Sequence, residues 1–123
     1  MVQDGTSGKA RSGVYPILVN DEVFAIMVEA IAKLSLQSGS FASLRDVVAF
    51  ATESAALPGA ALISTMKRLR PLDGRRRIYL RLYHQQLPQI DQLKSQLGSH
   101  LGGELTTRDM LCICCLLIIQ ELG

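Results

Sequence analysis

The sequence predicts a mostly helical fold that contains one two-stranded antiparallel ribbon. Three observations support this prediction. Residues 77–83 alternate between apolar and polar side chains, four longer segments carry apolar residues at helical spacing, and the whole pattern occurs twice. Alternation with a period of two indicates a strand, whereas recurrence every three to four residues indicates a helix. At 123 residues, 48% of them apolar, the chain is long enough to build one shared core.

The clearest strand signal lies in residues 77–83. One face is aliphatic and the other is cationic and aromatic, because successive side chains of a strand point to opposite faces. The aliphatic positions are Ile78, Leu80 and Leu82, and the others are Arg77, Tyr79, Arg81 and Tyr83. The aliphatic face is suited to a core and the opposite face to an anionic partner. The alternative is a solvated edge strand whose charges protect it against aggregation.

A first strand is predicted over residues 13–19, which read Gly-Val-Tyr-Pro-Ile-Leu-Val. Pro16 lacks a backbone N–H, so it restricts this strand to an edge or to a two-stranded ribbon. Asn20 and Asp21 then end the strand and cap a helix. That helix spans residues 21–36 and ends before the sequence Ser-Gly-Ser.

A second helix is predicted from about residue 43 to about residue 57. Ser43 can cap its first turn, and Asp46 completes a box-like N-terminus. Residues 60–69 can form a short helix, after which Pro71 and an Asp-Gly pair turn the chain toward the second strand.

The same pattern recurs at a constant offset of 63 residues, without a gap. The strand, the helix stripe, the turn glycine and the capped second helix all have counterparts, and chance hardly supplies all of these at one offset. Matching positions include Ile17 with Leu80, Leu34 with Leu97, Gly39 with Gly102, and Ser43 with Thr106. The second copy therefore consists of a strand at 77–83 and helices at about 86–98 and 107–121.

These patterns divide the chain into four segments. Residues 1–12 form a flexible arm, residues 13–57 the first half, residues 58–76 a linker with the short helix, and residues 77–123 the second half. One half alone could not bury its apolar face, so we expect the two halves to fold as one domain.

A strand, a helix, a glycine-containing turn and a helix within about 45 residues resemble the ribbon-helix-helix family of DNA-binding proteins, and the resemblance covers both copies. It implies a pseudo-two-fold pseudodimer in one chain. The antiparallel ribbon would enter the major groove of double-stranded DNA, and four helices would form the core. Because both halves belong to one chain, we expect a monomer in solution.

The fused, unequal halves resemble members that assist DNA processing. The resemblance implies an accessory role in T-DNA processing and transfer, beside a relaxase and other DNA-processing proteins. Transcriptional repression and plasmid partition are alternatives in the same class. A protein-interaction scaffold is the alternative from another class, and no constellation of residues supports an enzyme.

The residues predicted to read DNA bases lie on the polar face of the second strand. They are Arg77, Tyr79 and Arg81, side chains that can bond guanine or contact phosphate and thymine methyl groups. The first strand departs from the polar reading face of the family. Its matching residues leave only apolar contact with methyl groups, or no direct contact, and they are Val14, Pro16 and Leu18.

Two further groups are predicted to contact phosphates. The N-termini of the second helices offer unpaired backbone N–H groups and a favourable dipole, at Ser43 and at Thr106 and Thr107, although these residues also serve as simple N-caps. The other group flanks the ribbon and comprises Arg68, Arg70, Arg75 and Arg76, for which a solvated linker is the alternative. Seven of the thirteen Lys and Arg residues fall within residues 67–81, which suits a polyanionic partner.

The sequence offers no catalytic, metal or cofactor site. Cys112, Cys114 and Cys115 lie in one apolar run, residues 110–119, without the spacing of a zinc site, so we expect free thiols in a helix at the centre of the core. The two histidines have no paired acid or nucleophile. The apolar run is too short to cross a bilayer, and no signal peptide opens the chain. We therefore expect a bacterial cytoplasmic protein without a membrane partner.

Overall fold

The computed structural model describes residues 13–54, 58–101, 103 and 105–123. Its elements in chain order are strand β1 (Gly13–Val19), helices α1 (Asp21–Ser38), α2 (Leu44–Glu53) and α3 (Ala60–Leu69), strand β2 (Arg76–Leu82), a 3₁₀ turn (His84–Gln86), and helices α4 (Leu87–Leu101) and α5 (Thr107–Leu122). A mostly helical fold with one small sheet confirms the coarse fold class. The predicted arm, residues 1–12, lies outside the described residues.

The two strands form an antiparallel sheet, as the sequence predicted. In its register Pro16 lies opposite Tyr79, Leu18 opposite Arg77 and Val14 opposite Arg81. A two-stranded sheet tolerates Pro16 because each strand keeps one edge where no ladder hydrogen bond is required. Strand β2 begins at Arg76, one residue earlier than predicted, because Arg76 still pairs with Val19 at the end of β1.

Burial confirms which face of the ribbon meets the core. Ile78, Leu80 and Leu82 are 9%, 1% and 1% exposed, and the residues between them are exposed. Ile17 and Val19 of β1 are buried in the same cluster. Full burial of one such side chain is worth about 1.5–3 kcal/mol. The facing is therefore fixed, since a slip of one residue would turn every aliphatic side chain toward solvent.

Helix α5 lies at the centre of the core, as its composition predicted. It packs against α1 and α2, and less extensively against α3. A helix that is apolar on all sides is stable only when it is covered on all sides. Its buried residues are Met110, Leu111, Cys112, Ile113, Cys114, Cys115, Leu117 and Ile118. All three cysteines are free thiols.

Capping groups fix three helix N-termini at the expected positions. Asn20 Oδ1 accepts a hydrogen bond from a first-turn N–H of α1 at 2.7 Å. At α2, the Ser43 N–H donates to the Asp46 carboxylate at 2.9 Å, and the Asp46 N–H donates to the Ser43 hydroxyl at 3.4 Å. Thr106 and Asp109 form the same box at α5, at 2.9 and 3.1 Å. Each cap of this kind stabilises its helix by about 1 kcal/mol.

Two helices of the first half end at residues other than those predicted. Helix α1 continues two residues further, to Ser38, and stops at Gly39, whose φ of +78° is the left-handed conformation that favours glycine. Helix α2 ends at Glu53 rather than near residue 57. Ser54 takes the C-cap position there, and its N–H donates to the Phe50 carbonyl.

The second half differs from its prediction at the junction after β2. Tyr83 was expected to continue the strand, but it lies outside β2 and begins the 3₁₀ turn. Helix α4 then starts at Leu87 and extends to Leu101, three residues beyond its predicted end. Gly102, the predicted counterpart of the glycine that ends α1, falls outside the described residues.

The linker runs alongside the end of β1. Leu72 is buried, and its carbonyl accepts the Asn20 N–H at 2.8 Å. The Asn20 side-chain amide also donates to the Pro71 carbonyl at 3.0 Å. Gly74 approaches the strand so closely that a Cβ there would lie 2.7 Å from the Val19 carbonyl oxygen. A side chain at position 74 would therefore push the linker away from the ribbon.

Buried residues from both halves and from the linker belong to one hydrophobic cluster, so the ribbon rests on a single core. Of the helices in the described ranges, none is both long and apolar enough to cross a bilayer.

Candidate nucleic-acid interface

The outer face of the ribbon carries six exposed side chains, the ones that the sequence predicted to meet DNA. They form a cationic and aromatic row on β2 beside an apolar row on β1. The β2 row consists of Arg77, Tyr79 and Arg81, and the β1 row of Val14, Pro16 and Leu18. Tyr79 is 62% exposed, and Leu18 is 39% exposed. Only the β2 row can donate hydrogen bonds from its side chains.

Arg77 and Arg81 form no ion pair with any residue that the structure describes. They alternate with buried residues of β2, so neither can turn inward without displacing the core. Within the described residues, the donors of each guanidinium therefore remain available to a bound acceptor. The structure brings these two residues and Tyr79 onto one face, whereas their role in reading bases stays a prediction.

The four flanking arginines, by contrast, have acidic partners. The nitrogen-to-oxygen distances are 2.8 Å for Arg68 and Glu22, 3.8 Å for Arg70 and Asp109, 3.9 Å for Arg75 and Asp21, and 3.0 Å for Arg76 and Asp21. Most of these side chains are solvent-exposed, and an exposed pair contributes roughly 0–1 kcal/mol. Phosphate contacts at these positions would have to replace the pairs, which such small energies permit.

The N-terminus of α2 opens onto the outer face of the ribbon. Ser43, Leu44 and Arg45 line one shallow cleft together with Tyr79 and Arg81. The capping box provides acceptors for the backbone N–H groups of Ser43 and Asp46. Within the described chain, the backbone N–H groups of Leu44 and Arg45 have no acceptor. A molecule that contacts Arg81 can therefore also reach the positive end of α2.

Three residues that sequence reasoning did not assign to the site fix this end of the ribbon. Arg45 Cζ lies 4.3 Å from the centroid of the Tyr83 ring. Gln86, 6% exposed, accepts the Tyr83 N–H at 2.8 Å and donates to the Arg45 carbonyl at 3.3 Å. Gln86 thus joins the end of β2 to the first turn of α2. The available signal was the spacing from Tyr83 to Gln86, which is that of a helix N-cap and its N3 glutamine.

The N-terminus of α5 has different neighbours. Thr106, Arg108 and Asp109 line a depression with linker residues 70–73. Arg70 pairs with Asp109 across it, and Arg108 Nε is buried without a hydrogen-bond partner among the described residues. The predicted phosphate contacts Thr106 and Thr107 therefore lie beside the linker, where Arg70 already pairs with the Asp109 carboxylate.

The described residues hold no group of three or more His, Cys, Asp or Glu side chains that could bind a metal ion. Burial, and secondarily the nearby Asp109 charge, raises the pKa of Cys112 to about 12. Burial is also the first cause that raises the pKa of Cys114 to about 12 and the pKa of Cys115 well above 9.0. All three thiols are therefore protonated near neutral pH, and a protonated, buried thiol is a poor nucleophile.

No protein-family model matches the chain, and neither a curated protein nor a solved structure is significantly similar to it.

Proposed function

We propose that this protein binds double-stranded DNA with sequence preference and that its ribbon enters the major groove. The observation that carries the proposal is the outer face of β2, where Arg77, Tyr79 and Arg81 are exposed on a strand whose other face is buried. Arginine can make bidentate hydrogen bonds to guanine, and a two-stranded ribbon fits the major groove, which is about 12 Å wide. The strand would hold the three side chains about 6.5–7 Å apart on one face, roughly the rise of two base pairs.

The two rows of this face would contact DNA differently. The β2 row supplies hydrogen-bond donors, which can distinguish guanine from the other bases. The β1 row supplies Val14, Pro16 and Leu18, which can only make apolar contact with thymine methyl groups. Because the strands pair directly, one side of the DNA site would be read by hydrogen bonds and the other by shape and methyl contact.

The register of the ribbon supports the ribbon-helix-helix pseudodimer. Pro16 lies opposite Tyr79, and these two positions are 63 residues apart, which is the repeat offset. The offset of 63 relates Leu18 to Arg81 and Val14 to Arg77. It therefore converts the facing pair Leu18–Arg77 into the facing pair Arg81–Val14. A two-fold contact between equivalent surfaces requires this exchange. We therefore propose a pseudo-two-fold axis between Pro16 and Tyr79, and a chain that is monomeric in solution.

Phosphates on both sides of the groove would be bound by helix N-termini and flanking arginines. Ser43, Thr106 and Thr107 mark helix starts, where unpaired amides and the helix dipole favour an anion. The flanking arginines Arg68, Arg70, Arg75 and Arg76 would exchange their carboxylate partners for phosphates. These contacts would position the ribbon without selecting a sequence.

The narrower biological role rests on resemblance. The fused halves and the general sequence resemble the virC-operon DNA-binding protein of agrobacterial T-DNA transfer. On that basis we propose an accessory role at or near the T-DNA border, beside a relaxase and other DNA-processing proteins in the bacterial cytoplasm. Transcriptional repression and plasmid partition are alternative roles for the same DNA-binding site.

A protein-interaction scaffold is the alternative function from another class, and one observation favours it. Phe41, in the turn between α1 and α2, is 101% exposed, and Leu36, in the last turn of α1, is 84% exposed. Large apolar side chains at full exposure are typical of surfaces that contact other proteins. A scaffold would retain its partners after the ribbon arginines are removed, whereas a DNA-binding protein would lose its ligand.

The proposed function is tested by selecting duplexes from a randomised pool and then titrating the selected site with variants. Arg81→Ala is expected to weaken binding by about 1–3 kcal/mol and to relax preference at one side of the site, because a bidentate base contact is lost. Leu18→Ala, on the opposite strand, is the matched control and should change affinity much less. The selected site should be asymmetric.

Two outcomes would contradict the proposal. If no sequence is enriched and the arginine variant binds as the parent does, the ribbon does not contact DNA. If the enriched site is a symmetric palindrome, both strands read bases and the division between a reading strand and a passive strand is wrong.

A further inference from the structure

We propose that Arg45, held against the ring of Tyr83, is a further DNA-phosphate contact, and that the pseudo-equivalent Arg108 is not. This inference rests on the proposed DNA-binding function, and it makes the two ends of the ribbon unequal in their phosphate contacts. Only the end of the ribbon next to α2 would contact a DNA phosphate through an arginine at the start of the adjacent helix. The two arginines occupy equivalent positions in the repeat but have different surroundings.

Arg45 is held in an orientation that leaves its donors free. Its guanidinium carbon lies 4.3 Å from the Tyr83 ring centroid, and no acidic residue in the described chain pairs with it. Stacking uses the face of the guanidinium, whereas its N–H donors lie in the plane and point outward from the edge. An oxygen of a phosphate can therefore bind without breaking the stack.

Two further contacts place the stacked pair beside the base-reading residues. Gln86 bonds both the Tyr83 N–H and the Arg45 carbonyl, so the turn after β2 and the start of α2 cannot move independently. Arg45 also lines the same cleft as Tyr79 and Arg81. Two arginines, neither of which pairs with an acidic residue of the described chain, therefore line one open depression. A phosphodiester is the anion that a ribbon in the major groove would bring to this position.

Arg108 has the same position in the second half but different neighbours. The residue that corresponds to Tyr83 is Asn20, which has no ring and is bonded to the linker at Pro71. Arg108 lines a depression with linker residues 70–73, and its Nε is buried. The linker exists once in the chain, so only one of the two equivalent arginines has linker residues beside it.

The experiment measures binding of the full chain to a fluorescein-labelled, mixed-sequence duplex of 24 base pairs by anisotropy, at several salt concentrations between 50 and 200 mM. Arg45→Ala is expected to weaken binding about tenfold and to lower the slope of log K against log salt by about 0.9, the value for one phosphate contact. Arg108→Ala, the matched control, should stay within about twofold of the parent with an unchanged slope.

Each outcome is decisive when melting temperatures show that the variants are folded. Binding by the parent together with equal losses for Arg45→Ala and Arg108→Ala, or with no loss for Arg45→Ala, overturns the inference and leaves the proposed function standing. A larger loss for Arg108→Ala overturns it as well. If the parent binds no duplex at 50 mM salt, the proposed function itself fails. Arg45→Lys keeps the charge without the planar stack, and full retention of affinity there would overturn the role of Tyr83.

Discussion

The two strands of the ribbon share one inner face and differ completely on the outer face. Both place aliphatic residues in the same core, among them Ile17 from β1 and Leu80 from β2. On the outside β1 presents only apolar residues, whereas β2 presents a tyrosine and two arginines that have no ion-pair partner among the residues described. Packing restricts the inner positions of both strands in the same way and leaves the outer positions free. If the proposed function holds, base recognition would be concentrated in β2.

The helices that follow in each half differ in a similar way. Helix α2 is amphipathic and buries only Val47, Val48 and Ala51, whereas α5 buries eight residues and carries all three thiols. The second half thus contributes the central helix as well as the proposed reading strand. The two halves of one chain can differ in this manner because each has its own sequence. The identical subunits of a homodimer cannot differ in this way.

The largest expected effect tests the facing of the ribbon. Leu80→Asp should unfold the protein, because Leu80 is 1% exposed and a carboxylate buried without a partner destabilises by several kcal/mol. The same substitution on the outer face, Leu18→Asp, should change stability by less than about 1 kcal/mol. Thermal unfolding followed by circular dichroism distinguishes the two variants.

A melting temperature for Leu80→Asp within a few degrees of the parent would show that the facing is reversed. Equal destabilisation by both variants would show instead that the outer face is also covered, and the contrast between the strands would then disappear.

The second prediction tests the burial of α5 through the ionisation of its thiols. The pKa of Cys112 and that of Cys114 are raised by burial from 9.0 to about 12, so the folded state favours the neutral thiols. Their contribution to stability is complete below pH 9 and is lost as the pH rises from 9 toward 12, because the unfolded chain ionises first. Each thiol should lower the free energy of unfolding by about 1.4 kcal/mol per pH unit in that window. Urea unfolding at pH 8, 9 and 10 under reducing conditions measures the slope.

The control is the variant in which Cys112, Cys114 and Cys115 are all replaced by alanine. Its stability at pH 8 should be lower, because cavities form, but its dependence on pH should be shallower than that of the parent. The two proteins share every other ionisable group, so the difference in slope isolates the thiols. Identical slopes would mean that α5 is accessible to water and is not the central helix.

The smallest expected effect concerns the arginines that flank the ribbon. Arg76→Ala should change stability by less than about 1 kcal/mol, since its pair with Asp21 is exposed. It should weaken binding to all duplexes alike and lower the salt slope by about one. The control is Lys33→Ala, which also removes one positive charge. Lys33 lies about 18 Å from Asp21 along α1, so its loss should leave the salt slope unchanged. Loss of preference at one base position after Arg76→Ala would mean that this residue reads sequence.

The sequence alone determined the elements and the inner face of the ribbon, because both depend on local patterns. A period of two in residues 77–83, a period near 3.6 in the helices, and capping residues such as Ser43 and Thr106 act over a few residues each. Helix α5 was predictable as the centre of the core for the same reason, since a run without a polar side must be covered on every side. The ends of α2 and α4 were placed less well, because fraying and capping there depend on small energies.

Only the tertiary structure decided which charges are available at the candidate site. The sequence shows seven basic residues between positions 67 and 81, but it does not show that Asp21 and Glu22 of α1 form ion pairs with three of them. It likewise does not show that Arg45 lies over the Tyr83 ring while linker residues lie beside the equivalent Arg108. These contacts join residues about 40 or more positions apart in the chain, with sequence separations such as 55 for Arg76 and Asp21. Local patterns carry no information about such distant pairs, since the packed core brings them together only after the chain has folded.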